Sequence, residues 1–424
     1  MKTVIMAGGK GTRIASIAQD IPKPMIPIEG KPILEHEIES LKEQGFKDII
    51  ITVSHLGNVI MDYFGNGKKF GVNIEYFVEE TPLGNAGALF KLKEKLTKDF
   101  LLLNGDVMFD IDFNRFVNYH KEHQGLATLY THPNNHPYDS GLLVVESNGS
   151  VKRWLTKEDP RPRYYKNCVN AGLHILSPVL LDQSIEKEKI DLDRDLLKLL
   201  AGTGKLYSYQ CSEYVKDMGT PERLKQTQED FKNGIVKKKS LLKKQKAVFL
   251  DRDGTINKYV GFLRNIDDFE LIDGVANAIK KINDSGYLAI VITNQPVIAR
   301  GEVTIDQLNE IHNKMETLLG LEGAYLDSIY YCPHHPDKGF EGEIPELKIN
   351  CECRKPKPGL LLQAAKDFNI DLSQSWMVGD SESDILAGKA AGCKTALIGK
   401  GNFGQTKTFD SLLSFVEGEI ENER

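Results

Sequence analysis

Short apolar runs alternate with stretches of helical periodicity along most of the chain, which is the pattern of strands alternating with helices. The apolar runs at residues 3–6, 48–53, 73–78 and 100–104 are each predicted to form a strand. Helical periodicity at residues 33–44 ends at a glycine, which favours a helix stop there. This order predicts a parallel, doubly wound α/β sheet, whose ligands bind beyond the carboxyl ends of its strands.

The same pattern starts again past the middle of the chain, at residues 246–256. Four consecutive apolar residues predict a buried strand, and the turn after them carries Asp251 and Asp253. The N-terminus has the same form, a short apolar strand that enters a glycine-rich, charged turn. Because 424 residues exceed one ordinary core, we predict two doubly wound (Rossmann-like) α/β domains. They cover residues 1–238 and 247–424, and a basic linker at residues 239–246 joins them.

Composition excludes several classes of partner. The chain is 41% hydrophobic with a net charge of −6, so it has no bulk positive field to hold nucleic acid or anionic lipid. The linker lysines are interpreted as a solvated connector, with nucleic-acid binding as the alternative. Long apolar runs and a signal-peptide pattern are both absent. We expect a cytoplasmic protein with small-molecule substrates and without nucleic-acid or membrane partners, and we leave homo-oligomerisation open.

Three of the six cysteines lie close together in the second half and indicate a metal site. Cys332 and His334 form a C-x-H pair, and after sixteen intervening residues Cys351 and Cys353 form a C-x-C pair. Four such ligands in two close pairs suit a closed, structural tetrahedral zinc. Chance packing of reduced cysteines is the alternative, and His335 is a spare ligand. The remaining cysteines are predicted core residues: Cys168, Cys211 and Cys393.

Glycines after the first predicted strand suit polyphosphate binding. Gly8, Gly9 and Gly11 allow backbone N–H groups to approach phosphate, while Arg13 supplies a forked cation and Lys23 a point charge. A plain tight turn is the alternative. The string AGGKGTR followed by PKPM resembles the signature of the sugar-1-phosphate nucleotidyltransferases.

This resemblance implies roles for further residues of the first domain. The catalytic cations would be Arg13 and Lys23, and Asp106 and Asp217 would hold Mg²⁺ against the triphosphate. The implied nucleotide-binding residues are Gly8, Gly9, Gly11, Thr12, Gly84 and Asp106. The implied sugar-phosphate contacts are Gly141, Asn170 and Lys157, and for Lys157 a solvated surface lysine is the alternative.

The motif DRDGT in the second domain resembles the first motif of the haloacid-dehalogenase phosphatases. Residues i and i+2 of a turn can face one pocket, so Asp251 can attack phosphorus while Asp253 shuttles a proton. The resemblance implies that Thr293, Asn294 and Lys355 hold the phosphate and that Arg354 contacts substrate. It also implies a Mg²⁺ held by Asp251, Asp253 and Asp380. No inserted segment of useful length predicts a large cap domain.

Several short motifs narrow this resemblance. DRDGTIN, TNQ, IARG, CPHH, RKPKPG and VGD together resemble the D-glycero-D-manno-heptose 1,7-bisphosphate phosphatases, whose nearest cousins are histidinol-phosphate phosphatases. The sequence departs from that pattern at Pro296 and Val297 and at Ser381, which bears on fine substrate contacts.

The fusion of two such domains carries information about the substrate. A nucleotidyltransferase needs the anomeric phosphate, so its partner phosphatase must spare that phosphate and remove another. The resemblance of the second domain therefore implies that heptose 1,7-bisphosphate loses its 7-phosphate. The first domain most resembles the D-glycero-α-D-manno-heptose 1-phosphate guanylyltransferases, which implies that GTP then converts the α-anomeric 1-phosphate to GDP-D-glycero-α-D-manno-heptose and pyrophosphate for surface polysaccharide. One alternative is a hexose-1-phosphate nucleotidyltransferase fused to a histidinol-phosphate-type phosphatase. The other is a catalytically inactive sugar-nucleotide-binding regulator.

Overall fold

The computed structural model describes residues 1–9, 21–156, 158–182, 185 and 187–423. It divides into two compact units. The first unit contains Met1–His132, Leu143–Thr156 and Asn170–Ser240, and the second contains Pro133–Leu142, Lys157–Val169 and Leu241–Arg424. Across the described residues, no helix combines the length and apolar character needed to cross a membrane.

The first half of the chain forms one large sheet, two small two-stranded sheets and flanking helices. The strands are β1 (Thr3–Met6), β2 (Pro27–Ile28), β3 (Lys31–Pro32), β4 (Asp48–Val53), β5 (Asn73–Val78), β6 (Phe100–Asn104), β7 (Val107–Asp110), β8 (Ala127–His132), β9 (Leu142–Val145), β10 (Val151–Leu155), β11 (Val169–Leu176), β12 (Leu206–Gln210) and β13 (Tyr214–Asp217). The helices are α1 (Ile33–Glu43), α2 (Gly57–Phe64), α3 (Gly84–Lys91), α4 (Phe113–His123), α5 (Pro221–Lys232) and α6 (Ile235–Lys238).

The central strands of the large sheet are parallel, as predicted. In the order β6-β1-β4-β5 each neighbouring pair is parallel, and all four strands have the predicted bounds. The strand β11 instead runs antiparallel to β6, so the sheet is mixed. Val4 and Ile5 of β1 have no exposed surface, which fits a strand covered on both faces. The carboxyl ends of β1 and β6 therefore lie at the same edge.

The second unit is built on a fully parallel sheet in the order β16-β15-β14-β17-β18-β19. Its strands are β14 (Ala247–Leu250), β15 (Leu288–Asn294), β16 (Ser328–Cys332), β17 (Trp376–Gly379), β18 (Lys394–Ile398) and β19 (Lys407–Phe409). Its helices are α7 (Val275–Ser285), α8 (Pro296–Ala299), α9 (Ile305–Leu321), α10 (Gly359–Asp367), α11 (Glu382–Ala391) and α12 (Leu412–Phe415). The predicted apolar run forms β14, which is wholly buried at the centre.

Two segments from the first half of the sequence belong to the second unit and pack on α9. The backbone N–H of Asn167 donates to the buried Glu316 carboxylate at 3.0 Å, and that of Tyr165 donates to the Thr317 hydroxyl at 2.9 Å. The Asn167 side chain joins the two segments, since its amide donates to the Asn134 carbonyl at 2.6 Å. Burial raises the pKa of Glu316 in spite of the nearby Lys166 and the Asn167 N–H. The second unit is therefore discontinuous in sequence.

One glycine in the first unit is required by a close backbone approach. Gly84 begins α3 with a φ of +81°, and a Cβ atom there would lie 2.4 Å from the carbonyl oxygen of Ile190. We expect Gly84→Ala to lower the melting temperature more than Gly30→Ala. Gly30 has a similar φ of +82° but no described atom within 4 Å of its Cβ position, so its cost is left-handed strain alone, about 1 kcal/mol.

Thermal unfolding of both variants measures the difference. Equal losses of stability would mean that the contact with Ile190 has no energetic consequence.

Candidate active sites and a candidate metal centre

The first candidate site lies where β1 and β6 end. Gly8 and Gly9 follow β1 after Ala7, and Asp106 lies in the two-residue turn between β6 and β7. The Lys23 ammonium forms an ion pair with the Asp106 carboxylate, and the Lys23 side chain is only 12% exposed. The structure thus brings together the predicted point charge and the first predicted metal carboxylate.

Strand pairing brings the second predicted carboxylate to the same place. The strand β13 runs antiparallel to β7, with Asp217 opposite Val107, and the N–H of Met218 donates to the carbonyl of Asp106 at 3.1 Å. Asp106 and Asp217, which are 111 residues apart in sequence, are therefore neighbours. Burial opposes ionisation of Asp217, but the Arg223 guanidinium at 2.7 Å, with the Gly219 N–H and Lys23, holds the pKa of Asp217 below its usual value.

Two of the predicted sugar-phosphate contacts, Asn170 and Gly141, lie among the described residues. Asn170 lies in β11, where its side-chain oxygen accepts from the N–H of Gly172 at 3.2 Å and faces the His174 ring at 3.1 Å. Burial lowers the pKa of His174 to about 3, so this ring is neutral. Gly141 directly precedes β9, whose Leu142 pairs with Val169 beside Asn170. The remaining predicted residues lie outside the described ones: Gly11, Thr12, Arg13 and Lys157.

A buried glutamate beside Asp106 was missed by the sequence analysis. Glu37 of α1 is 1% exposed and accepts from the N–H of Val107 at 3.3 Å. Burial, with the nearby Asp106 carboxylate, holds the pKa of Glu37 well above its ordinary value. A signal was present in the sequence, because Glu37 falls four residues after Ile33, on the apolar face of the helix.

The second candidate site lies at the carboxyl edge of the parallel sheet. Asp251 follows β14 and Asp380 follows β17, while Thr293 and Asn294 end β15. The buried Lys355 ammonium contacts Asp251 at 2.7 Å, Asp384 at 2.6 Å and the Ile292 carbonyl at 2.7 Å. The predicted nucleophile, phosphate-binding lysine and metal carboxylate therefore belong to one site.

Three carboxylates of this site are grouped closely enough to hold a metal ion. Asp251, Asp380 and Asp384 each offer an oxygen within 4.8 Å of the others. Gly254 permits this approach, since a Cβ atom there would lie 2.0 Å from Asp380. Burial, followed by the charge of Asp384, raises the pKa of Asp251 to about 7 and that of Asp380 to about 6. A divalent cation bound by oxygen ligands would relieve this repulsion.

The carboxylate of Asp253 is held by three neighbouring side chains. It accepts from the fully buried Arg252 guanidinium at 2.7 and 2.9 Å, from the Asn257 amide at 3.0 Å and from the Gln295 amide at 3.0 Å. Arg252 is itself held by His312 at 3.3 Å. The side chains that donate to Asp253 fix the direction of its carboxylate. Asp253 does not belong to the group of three acids formed by Asp251, Asp380 and Asp384.

The remaining predicted phosphate contacts have other partners in the protein. The Asn294 amide donates to the carbonyl of Lys355 at 3.1 Å and its oxygen accepts from the N–H of Lys355 at 3.0 Å, so Asn294 positions the lysine backbone. The buried Thr293 hydroxyl accepts from Gln295 at 2.9 Å. The Arg354 guanidinium donates to the carbonyl of His334 at 3.3 Å.

The four predicted zinc ligands form one group. The sulfur of Cys353 lies 3.2 Å from the sulfurs of Cys332 and Cys351 and 3.2 Å from Nδ1 of His334. All four ligand atoms lie within 4.8 Å of one another, which is the spacing of a closed tetrahedral site. The donor set therefore fits zinc. His335 points elsewhere, since its Nδ1 accepts from the N–H of Asp337.

Several cations lie beside this candidate metal centre. Burial lowers the pKa of His335, and Arg354, Arg300 and Lys348 lower it further in spite of Asp337. Lys348 is paired with Glu343 at 3.4 Å. The carboxyl edge of this sheet thus combines the group of three acids with nearby cations, an arrangement suited to a phosphorylated substrate and a metal ion.

Both halves of the chain are similar to known protein families. A nucleotidyl transferase family model matches residues 2–234, and a HAD-hydrolase-like model matches residues 352–411. The D-glycero-beta-D-manno-heptose-1,7-bisphosphate 7-phosphatase of Haemophilus ducreyi is 48% identical over 155 residues, which are 36% of this chain and 82% of that protein.

Solved structures are similar to each half separately. HddC from Yersinia pseudotuberculosis has a TM-score of 0.48 at 26% identity and covers 54% of this chain and 99% of its own. The D,D-heptose 1.7-bisphosphate phosphatase from B. bronchiseptica, complexed with magnesium and phosphate, has a TM-score of 0.38 at 31% identity, over 42% of this chain and 99% of its own. On the family model and the curated relatives, this chain belongs to the nucleotidyl transferase family through its first half and to the D-glycero-beta-D-manno-heptose-1,7-bisphosphate 7-phosphatase family through its second.

Proposed function

We propose that the protein carries out two consecutive steps in the synthesis of a nucleotide-activated heptose. The second unit removes the 7-phosphate of D-glycero-D-manno-heptose 1,7-bisphosphate, and the first then transfers a nucleotidyl group from GTP to the heptose 1-phosphate. The products are GDP-D-glycero-α-D-manno-heptose and pyrophosphate. The observation that carries the first step is the contact of buried Lys355 with Asp251 beside two further acids.

The phosphatase step would use Asp251 as nucleophile. Its oxygen attacks phosphorus and the bond to the sugar oxygen breaks, while Asp253 gives that oxygen a proton. Asp253 then takes a proton from the water that cleaves the aspartyl phosphate, which restores Asp251 and releases phosphate. The donors from Arg252, Asn257 and Gln295 support this assignment because they fix Asp253 in one direction.

Metal ions would support the site in two ways. Asp251, Asp380 and Asp384 would hold Mg²⁺, which when bound offsets the negative charge shared by the carboxylates and the phosphate. Sequence resemblance assigns Asp253 to this ion, whereas the grouping of acids favours Asp384 in its place. A structural zinc held by the four predicted ligands, Cys332, His334, Cys351 and Cys353, would fix the loop that carries Arg354 and Lys355.

The nucleotidyl transfer step would place GTP against the glycines after β1. A 1-phosphate oxygen attacks the α-phosphorus in line, pyrophosphate leaves, and no covalent enzyme intermediate is needed. Lys23 and Arg13 would stabilise the developing charge, and Asp106 and Asp217 would hold Mg²⁺. The adjacency of these two acids supports this proposal.

Substrate assays with purified protein test the proposal as a whole. The curated phosphatase relative is named for the beta anomer, whereas the resemblance of the first half implies the alpha anomer. Each anomer of the bisphosphate is therefore incubated with Mg²⁺ and each of four nucleoside triphosphates. The expected result is that GDP-heptose forms from the alpha anomer with GTP, and that the other three triphosphates and the beta anomer give no sugar nucleotide. Preferential release of phosphate from histidinol phosphate would overturn the heptose assignment.

Paired substitutions separate the two activities. Asp251→Asn removes the nucleophile, so phosphate release is expected to fall by about 10³-fold or more while nucleotidyl transfer to heptose 1-phosphate continues. Asp106→Asn removes a carboxylate from the other site and is expected to have the converse effect. Loss of both activities in either variant, with an unchanged melting temperature, would contradict two independent sites.

Removing one acid from the phosphatase site should stabilise the metal-free protein. Because the pKa of Asp380 rises from 3.8 to about 6 on folding, the ionised group destabilises the fold progressively as pH rises through that window. At pH 8 without Mg²⁺, we expect Asp380→Asn to raise the melting temperature by about 2 to 4 °C, and below pH 4 the gain should vanish.

Calorimetry at the two pH values tests this effect. The control is Asp284→Asn, which removes an exposed acid from α7. A lower melting temperature for Asp380→Asn at pH 8 would show that the carboxylate stabilises the fold.

Loss of one zinc ligand should weaken only the phosphatase. We expect Cys351→Ser to reduce bound zinc, measured by elemental analysis, and to lower phosphatase kcat/KM by about 10- to 100-fold. Cys393→Ser, which alters a buried cysteine outside the centre, is the matched control. Full zinc content in Cys351→Ser would exclude this residue as a ligand.

A further inference from the structure

Arg300 carries a guanidinium group that has no polar partner among the described residues. It lies directly after α8, and its Nε atom is buried without a hydrogen-bond acceptor. No described carboxylate forms an ion pair with it. Since a guanidinium has five donors and is always charged, so many unused donors in a partly buried group indicate a ligand.

Two aromatic rings hold this guanidinium in place. Its central carbon lies 4.0 Å from the centre of the Phe262 ring and 4.4 Å from that of Phe340. Stacking against aromatic rings uses the flat faces of the group and leaves its N–H edge free for an acceptor. Phe262 is 42% exposed and Phe340 is 36% exposed, so solutes can reach this arrangement.

The neighbouring carboxylates are already paired with other cations. Glu302, two residues after Arg300, accepts from Arg264 at 2.8 Å. The Glu343 carboxylate forms an ion pair with Lys348 at 3.4 Å. The loop that contains Glu343 packs on the turn at Arg300, since the N–H of Ile344 donates to the carbonyl of Ala299 at 3.0 Å. Acids are thus nearby, yet the charge of Arg300 remains available to an anion from solution.

The position of Arg300 relates it to the leaving group of the phosphatase reaction. The helix α8 begins next to Gln295, which holds Asp253, and Arg300 lies five residues on, about 8 Å along the helix axis. Phe262 belongs to the loop after Asn257, which also holds Asp253. Because Asp253 protonates the leaving oxygen in the proposed mechanism, the sugar lies on this side of the site.

We propose that Arg300, held between Phe262 and Phe340, binds the phosphate that the enzyme spares, at the anomeric end of the sugar bisphosphate. This inference rests on the proposed phosphatase function and adds its specificity determinant. The forked N–H edge suits two phosphate oxygens at once. Arg300 would thus select a bisphosphate over a monophosphate and orient it with the other phosphate toward Asp251.

Comparison of two substrates tests this role. Initial rates are measured with heptose 1,7-bisphosphate and with heptose 7-phosphate, which lacks the anomeric phosphate. In Arg300→Ala we expect kcat/KM for the bisphosphate to fall by about 10- to 100-fold, mainly through KM, and kcat/KM for the monophosphate to change little. Arg300→Lys keeps the charge without the fork and should lose less.

A matched control removes the neighbouring cation. Arg264→Ala deletes an exposed arginine that is paired with Glu302, and we expect it to leave the preference for the bisphosphate unchanged. Zinc content and melting temperature confirm that each variant is folded.

Each result decides the matter. Equal losses for both substrates in Arg300→Ala, or no loss for either, would show that Arg300 only packs against the two rings. A wild-type protein that releases phosphate from neither substrate would overturn the proposed function and this inference with it.

Discussion

The phosphatase site depends on a single buried ammonium group. Lys355 is 3% exposed and balances Asp251 and Asp384, both of which are also buried. Taking such charges out of water is costly unless they are paired. Since Asp380 adds a third acid and Lys355 supplies only one positive charge, the site retains negative charge. This residual negative charge suits the site to a cation, and the pairing with Lys355 is what allows Asp251 to be buried.

In the nucleotidyltransferase site the acids are also paired with cations, but the groups are more exposed. Asp106 is paired with Lys23, and Asp217 with Arg223. Each acid therefore has its own cation, and a triphosphate with its metal would compete for these partners. In the second unit parallel strands bring the carboxylates to one edge of the sheet, whereas in the first half the antiparallel pairing of β13 with β7 brings Asp217 to Asp106.

Local patterns in the sequence were sufficient for much of this architecture. The bounds of β1, β4, β5 and β6 and the burial of β14 follow directly from apolar runs. The pairing of Asp106 with Asp217 required family resemblance, because it depends on the register between β13 and β7. The place of Asp384 in the acid group depends on how α11 packs against β17, which the sequence alone does not specify.

The contacts of charged side chains were harder to predict than their presence. The DRDGT motif gave Asp253, but nothing in it indicated that Arg252 would be buried with Gln295 and His312 as neighbours. Likewise, the sequence order predicted two contiguous domains, whereas the second compact unit also takes in Pro133–Leu142 and Lys157–Val169. Such long-range packing leaves no periodic signal in the segments themselves.

This discontinuity constrains how the protein could be divided. A polypeptide beginning at Leu241 would contain every phosphatase motif but would lack the segments that cover α9. The Glu316 carboxylate would lose the N–H of Asn167, and the Thr317 hydroxyl would lose Tyr165. Gene fission at the apparent domain junction would thus yield a phosphatase with an uncovered helix, so the path of the chain itself ties the second unit to the first half of the sequence.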